Sequence, residues 1–296
     1  MDGWMKKVLR REALVKQTPF VNPCPPLQPM LPYLPPELID NIIEQIQIED
    51  RETLAACSLT CRAWAPIAQS KYFRKLTFRL ATPGFLRLIH ASPHIALLPR
   101  WIWFSSSQWV GDGRSREENT YFAQIAPFLI NVQNLVFLSV SLPSWSSQDT
   151  LRIIEAFPSL QELHIYHSTV GLDFLSLFFQ SHSTLRTLFL GLGTVISSMD
   201  RHQELLPLTP LQHLRVSNVK NLSLLTSLLV DHENPLAQIK RLELVSRSES
   251  YGAAACTLLF GLRHTLHVLE VDSRFLQVDL HTCDGMNIST MSLILE

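Results

Sequence analysis

The residues able to do chemistry in this chain are few and poorly assembled. Cys57 and Cys61 stand four apart, the spacing that puts two thiols on one helix face and would begin a metal site. No second pair at ligand spacing accompanies them, so buried helix cysteines are expected. His164 with His167, and His264 with His267, form two further pairs. Neither is part of a His-Glu-x-x-His helix, and surface histidines are expected. Gly191-Leu192-Gly193 follows an apolar segment. It lacks the third glycine, the lysine and the ribose-binding acid of a nucleotide site, and reads as a turn. There is no Gly-x-Ser-x-Gly elbow, while a triad dispersed in sequence leaves no local signature. The expectation is a protein that is not an enzyme, with no catalytic residue, no cofactor and no metal.

Composition narrows the class. Of 296 residues, 46% are hydrophobic and 17% charged, enough apolar material for a large core. Net charge is −1, so no basic stripe argues for nucleic acid and no polybasic run for a membrane surface. The uncharged stretch 119–148 is long enough to span a bilayer. It contains Gln124, Pro127, Asn131, Gln133 and Asn134, each costly in hydrocarbon, and reads better as buried helix, loop and strand. Cys24, Cys57, Cys61, Cys256 and Cys283 are odd in number and irregular in spacing. No apolar run follows the basic start MDGWMKKVLRR. Both features predict a reducing compartment, cytoplasmic or nuclear.

The elements that must position any site fall into three regions. Residues 1–30 read as a tail, because Pro19, Pro23, Pro25, Pro26 and Pro29 forbid a regular helix. Residues 31–75 read as three short helices. Pro35 and Pro36 suit a first helical turn. Leu38, Ile39, Ile42, Ile43 and Ile46 recur as one wide aliphatic stripe. Asp50 is placed to cap a second helix carrying Leu54, Cys57 and Cys61. A third helix runs from Trp64 towards Tyr72 and Phe73.

Residues 76–296 read as a repeat array. LVFLSV, LQELHI, LRTLFL, LQHLRV, IKRLEL and LHVLEV all fit apolar-x-x-apolar-x-apolar. They begin at Leu135, Leu160, Leu185, Leu211, Ile239 and Leu266, at intervals of 25, 25, 26, 28 and 27 residues. Helix-like apolar segments lie between them. This is the period of leucine-rich repeats, in which each unit pairs a strand with a helix. Weaker copies are Phe73-x-x-Leu76-x-Phe78, Leu98-x-x-Trp101-x-Trp103 and Ile288-x-x-Met291-x-Leu293. The interval of 37 from Leu98 to Leu135 predicts an insertion over 105–120.

The 31–75 segment resembles an F-box. The resemblance rests on the start Leu34, Pro35, Glu37 and Leu38, on the aliphatics Ile42 and Ile43, and on Leu54, Cys57, Leu59, Cys61, Arg62 and Trp64. Thr60 departs from the usual aliphatic residue. The string LAACSLTCRAWAPIAQSKYFRKLTF is similar to F-box ends of fungal proteins that continue into irregular leucine-rich repeats. The resemblance implies an α/β fold: a three-helix F-box followed by an irregular α/β leucine-rich-repeat solenoid with a parallel concave sheet. It implies a substrate-recognition adaptor of a Skp–cullin–F-box ubiquitin ligase, with a Skp-type adaptor, a cullin–RING ligase and a protein substrate as partners.

The expected adaptor surface is Leu34, Pro35, Leu38, Ile42, Ile43, Ile46, Leu54 and Trp64. Some 45 residues are too few to bury such a stripe unaided. The surface that covers it is either a partner or the first repeats, and the second case corresponds to a non-catalytic repeat scaffold outside the ubiquitin system. For substrate, side chains alternate across a strand, so residues flanking the last two apolar positions face away from the core. They include Phe137, Tyr166 and Phe189, an expected aromatic cluster, and Arg215, Arg241, Glu243 and Glu270, an expected charged one. Aromatic and arginine side chains carry much of the energy of interfaces. This makes Phe137, Tyr166, Phe189, Arg215 and Arg241 the candidate substrate contacts.

Overall fold

The computed structural model describes residues 34–78, 83–106, 114–197, 211–230, 239–245, 252–271 and 292–295. The proline-rich segment 1–30, Asp272 and residues 288–291 of the last repeat copy lie outside them. The chain divides into two compact units, Met1–Leu76 with Thr82–Pro99, and Thr77–Ala81 with Arg100–Glu296.

The first unit opens with three short helices, α1 (Pro36–Gln45), α2 (Arg51–Thr60) and α3 (Trp64–Phe73). Prolines start α1, where a missing N–H costs nothing. Asp50 caps α2 by accepting a 3.1 Å hydrogen bond from the Thr53 amide. Buried Ile39, Ile43, Leu54, Ala68, Tyr72 and Phe73 form the core. Two cations fix the helix ends. Lys71 donates through Nζ to the Glu44 carbonyl at 2.6 Å, satisfying an acceptor that the last turn of α1 leaves open. Arg51 donates to the Lys75 carbonyl at 2.7 Å and lies 5.4 Å over the Tyr72 ring. Helix α4 (Pro83–Ala91) belongs to the same unit and buries Phe85, Leu88 and Ile89 on one face.

Strand β1 (Lys75–Phe78) carries the chain into the second unit. There a sheet is laid down in sequence order by β2 (Trp101–Ser105), β3 (Asn134–Leu138) and β4 (Glu162–Tyr166). After β5 (Thr169–Gly171) come β6 (Thr187–Leu190), β7 (Val195–Ser197), β8 (His213–Ser217), β9 (Arg241–Val245), β10 (Val268–Val271) and β11 (Ser292–Leu295). The main sheet runs β1-β2-β3-β4-β6-β8-β9-β10-β11, and β5 pairs with β7 in a second ladder. Pairing from β2 to β11 is parallel throughout. Parallel neighbours need a crossover. It is supplied by α5 (Arg114–Ile125), α6 (Ser147–Glu155), α7 (Leu172–Ser181), α8 (Leu222–Val230) and α9 (Gly252–Leu262).

The core positions follow the register. Leu135, Leu163, Leu188, Leu214, Leu242 and Leu269 are aligned from strand to strand, and all are buried. So are Phe104, Phe137, Ile165, Leu190, Val216, Leu244 and Val271, two residues further along. The repeat frame therefore begins at Phe73, Pro99, Val132, Leu160, Leu185, Leu211, Ile239 and Leu266, each buried.

This frame corrects three expectations. The third copy begins at Val132, not Leu135, because Leu135 pairs with Leu163. The second begins at Pro99, not Leu98, because Ile102 pairs with Leu135. In the last copy Leu293 pairs with Leu269, so it holds the middle apolar place and not the final one. The strands WIWFS and NLVFL are apolar on both faces, and a pattern that asks only for apolar residues accepts either frame. The expected insertion shrinks with the correction. Pro99 to Val132 is 33 residues, and α5 lies within it as that unit's own crossover helix.

Within the second unit, successive strand–helix segments are joined by aromatic rings and short side-chain bonds. Phe104 stacks on Phe122 at 4.3 Å between ring centres, Phe122 on Phe157 at 6.2 Å, and Phe137 meets Phe174 edge-on at 6.4 Å. Phe178 stacks on His182 at 4.0 Å. The buried His182 ring lies between two carbonyls, Phe178 at 2.8 Å and Ala156 at 2.7 Å. Thr184 donates to Leu160 at 2.6 Å, Thr194 to Ile165 at 3.0 Å and Asn221 to Ile196 at 2.8 Å. No helix among the described residues is long and apolar enough to cross a membrane.

Because Leu188 is buried in the middle of the aligned row, Leu188→Ala is expected to lower the unfolding free energy by about 2–5 kcal/mol, measured by urea denaturation. A loss below about 1 kcal/mol would contradict the central placement of that row.

Candidate functional site: an apolar ridge and a graded sheet face

On α1 the wide aliphatic stripe is split between two jobs. Ile39 and Ile43, four apart, point inward and are buried. Leu38 and Ile42, also four apart, point outward and are 48% and 42% exposed, next to Leu34 at 42%. Residues four apart share a helix face, so Leu38 and Ile42 form one apolar ridge, and Leu34 and Pro35, both exposed, lie just before the helix. Ile46 and Trp64 are half-buried. Two residues expected on the adaptor surface are placed elsewhere. Ile43 and Leu54 have no exposed surface, because they fill the core of the unit they belong to, and a partner cannot reach them without unfolding it.

The two cysteines of the opening motif are not both buried, contrary to expectation. Cys57 is half-buried, whereas Cys61 caps the end of α2 in an extended conformation and is exposed. No group of three or more metal-binding side chains occurs among the described residues.

The outward face of the sheet in the second unit is ordered by the same register as the core. One row reads Trp103, Val136, His164, Phe189, Arg215, Glu243 and Glu270 from β2 to β10. The row beside it reads Trp101, Asn134, Glu162, Thr187, His213, Arg241 and Val268. The face is therefore aromatic towards β2–β6 and charged towards β8–β10. At the aromatic end His164 stacks on Phe189 at 5.5 Å and on Tyr166 at 6.4 Å, with Trp101 at 6.0 Å on its other side. Tyr166 meets Phe189 at 4.9 Å. A glycine is needed beneath this cluster, because a Cβ at Gly191 would collide with the Tyr166 ring.

At the charged end one carboxylate organises the rest. Glu243, buried, accepts from His213 Nε2 at 2.8 Å, Arg215 Nε at 3.1 Å and Arg241 Nε at 3.1 Å. Strand pairing sets Glu243 beside Glu270, a repulsive arrangement. Arg241 relieves it by spanning both acids, with Nη2 2.6 Å from Glu270. Those carboxylates keep the Arg241 guanidinium charged, and its pKa is raised. Arg215 joins the two ends, since its guanidinium lies 4.8 Å over the Phe189 ring.

Of the five expected substrate residues, the structure brings together four, Tyr166, Phe189, Arg215 and Arg241. It removes Phe137, which packs in the aromatic core of the second unit because the frame of its strand lies three residues upstream. The reading by sequence also passed over Trp101 and Trp103. They lie on this face once the second copy is framed on Pro99, Ile102 and Phe104, and that frame was available in the string PRWIWF.

Comparison with known families assigns part of the first unit. The F-box domain family matches residues 31–76, the segment that carries the ridge, and these residues are an F-box domain. No curated protein matches the chain.

The aromatic end has a pH signature. Burial lowers the His164 pKa below its usual 6.5, with Arg215 and His213 acting in the same sense and Glu162 opposing them. His182 is lowered by burial as well. A depressed folded-state pKa means that the unfolded chain binds the proton more tightly. Stability is then complete above pH 6.5 and is lost as pH falls towards the folded-state values. The thermal midpoint is expected to drop between about pH 7 and about pH 5. His164→Phe should flatten part of that slope in circular dichroism melts. An unchanged slope in the variant would show that this ring is not held neutral by its surroundings.

Proposed function

We propose that this chain is a substrate-recognition adaptor of a Skp–cullin–F-box ubiquitin ligase. The observation that carries the reading is the apolar ridge Leu38 and Ile42 on the first helix of the F-box domain, left 42–48% exposed together with Leu34 just before it. F-box domains bind Skp-type adaptors in cullin–RING ligases. An exposed aliphatic ridge supplies the attraction, because each fully buried Leu or Ile contributes about 1.5–3 kcal/mol and here three are held half out of the core. In this reading residues 1–30 are a tail, 31–75 recruit the ligase and 76–296 are an irregular leucine-rich-repeat solenoid that holds a protein substrate. Two features support the solenoid: main-sheet strands in sequence order, parallel from β2 to β11, and a repeat frame returning every 25–28 residues from Val132 to Leu266. The chain performs no chemistry in this scheme, needs no cofactor, and works in the cytoplasm or nucleus.

The test is capture of a recombinant Skp-type adaptor by the full chain. Leu38→Asp with Ile42→Asp is expected to weaken capture by more than about tenfold without moving the thermal midpoint, and Leu34→Ala with Pro35→Ala to weaken it less. Ile43→Ala should instead lower stability by about 2–5 kcal/mol. Adaptor binding that survives deletion of residues 31–75 would overturn the assignment of that segment, and no capture by the full chain would leave a repeat scaffold outside the ubiquitin system.

A further inference from the structure

We propose that the graded sheet face binds an extended protein segment in which an aromatic residue is followed, two or three residues later, by aspartate or glutamate. The inference rests on the reading that the repeats hold substrate, and it names the chemistry of what they hold. The aromatic side chain lies on the shelf of Trp101, His164 and Phe189, and the carboxylate takes the outer edge of Arg215.

The aromatic half follows from the shelf. His164 stacks on Phe189 at 5.5 Å and faces Trp101 at 6.0 Å, and Tyr166 closes against Phe189 at 4.9 Å. Burial disfavours the charged form of His164, and the rings of Trp101, His164, Phe189 and Tyr166 make this end of the face a continuous π surface. It suits a planar apolar group, which stacks in an offset or edge-on geometry. A cation is not the occupant, because Arg215 already lies over the Phe189 ring at 4.8 Å and would repel a second one.

The acidic half follows from which charges are sunk and which are raised. Arg215 and Arg241 balance Glu243 and Glu270 in number. The carboxylate side chains, however, are only 10% and 18% exposed, while the guanidiniums are 47% and 46% exposed. What a partner meets is therefore cationic. Arg215 is engaged by Glu243 through Nε and by Phe189 through its plane. Its two terminal nitrogens have no partner among the described residues, and a guanidinium fork matches a carboxylate.

The border of the face agrees. The residues just before the strands run Arg100, Gln133, Gln161, Arg186, Gln212, Lys240 and His267, joined in series by backbone hydrogen bonds of 2.8–2.9 Å. The row has three full cations and no acid. Glu162, half-buried and the most exposed acid of the face among the described residues, is held by His164 at 3.2 Å. Strand neighbours lie about 4.8 Å apart, so about 10 Å separates His164 from Arg215, and an extended segment covers that in two to three residues.

The experiment is fluorescence anisotropy on the full chain. The probe is a labelled nine-residue peptide, Gly-Ser-Gly-Trp-Ser-Asp-Asp-Gly-Ser, compared with peptides in which Asn or Lys replaces both Asp. The Asp peptide is expected to bind about tenfold or more tighter than the Asn peptide, and the Lys peptide not to bind. Arg215→Gln should erase the difference between Asp and Asn. Phe189→Ala should weaken both, and Phe260→Ser, on the exposed side of α9, neither. Absence of Asp-peptide binding, equal affinity for Asp and Asn, or discrimination that persists in Arg215→Gln would each overturn the proposal. The comparison among peptides needs no variant, so it decides even if Arg215→Gln does not fold. Adaptor capture by the same preparation keeps the two readings apart. Capture without peptide binding defeats the assignment of this face, and peptide binding without capture defeats the ligase role.

Discussion

A parallel strand carries hydrogen-bonding groups on both edges and satisfies them only through neighbours of matching register. In this protein that register determines almost everything else. Once Leu163 is set against Leu135 and Leu188, the alternation of side chains sends one residue set into the core and the other onto an open face. The rows Trp103 to Glu270 and Trp101 to Val268 are products of the same pairing, not separate designs. A shift of one residue in a single strand would bury a charge such as Arg215 or Arg241 and expose a leucine. The large cost of either is what holds the strands in place.

The two units solve the problem of apolar surface in opposite ways. The sheet unit hides its leucines and phenylalanines against its own helices and neighbouring strands. Its outward face carries residues that either stack on each other or neutralise each other, as Glu243 does for three neighbours. The helical unit has one helix with aliphatic residues on two sides, and it buries only one of them. The ridge Leu38 and Ile42, with Leu34 just before it, persists because Ile39, Ile43 and Leu54 already complete the core, leaving no room for the second row.

Much of this was legible in the sequence, and the failures have a common cause. The proline start of α1, the Asp50 cap and the extent of α3 are local signals, and each appears as expected. The repeat frame was also correct wherever a strand is apolar on one side only, as in LQELHI, LRTLFL and LQHLRV. It slipped at WIWFS and NLVFL, where both faces are apolar and the pattern cannot choose. That slip misplaced Phe137 and hid Trp101 and Trp103. On α1 the sequence showed one broad stripe. Which part of it the core would take depended on helices α2 and α3, and so on contacts that helical periodicity does not contain. The pairings of Glu243 were invisible for a similar reason. Those with His213 and Arg215 join residues 30 and 28 apart that only the register brings side by side.

The order of the strands has a consequence for how the molecule is made. From β2 onward each strand of the main sheet pairs with one that precedes it in the chain, and no later strand is inserted between two earlier ones. Contacts are short in sequence for a sheet of this size, close to the length of one repeat, which lowers the entropy lost in closing each loop. This order permits growth in one direction, strand after strand. During synthesis every unit can dock on a finished edge as it leaves the ribosome, N-terminal part first. The exposed edge at any moment is a single strand, covered when the next arrives. A nascent chain stalled midway would hold a partial sheet already in native register, and a defect in an early strand would propagate to every unit translated after it.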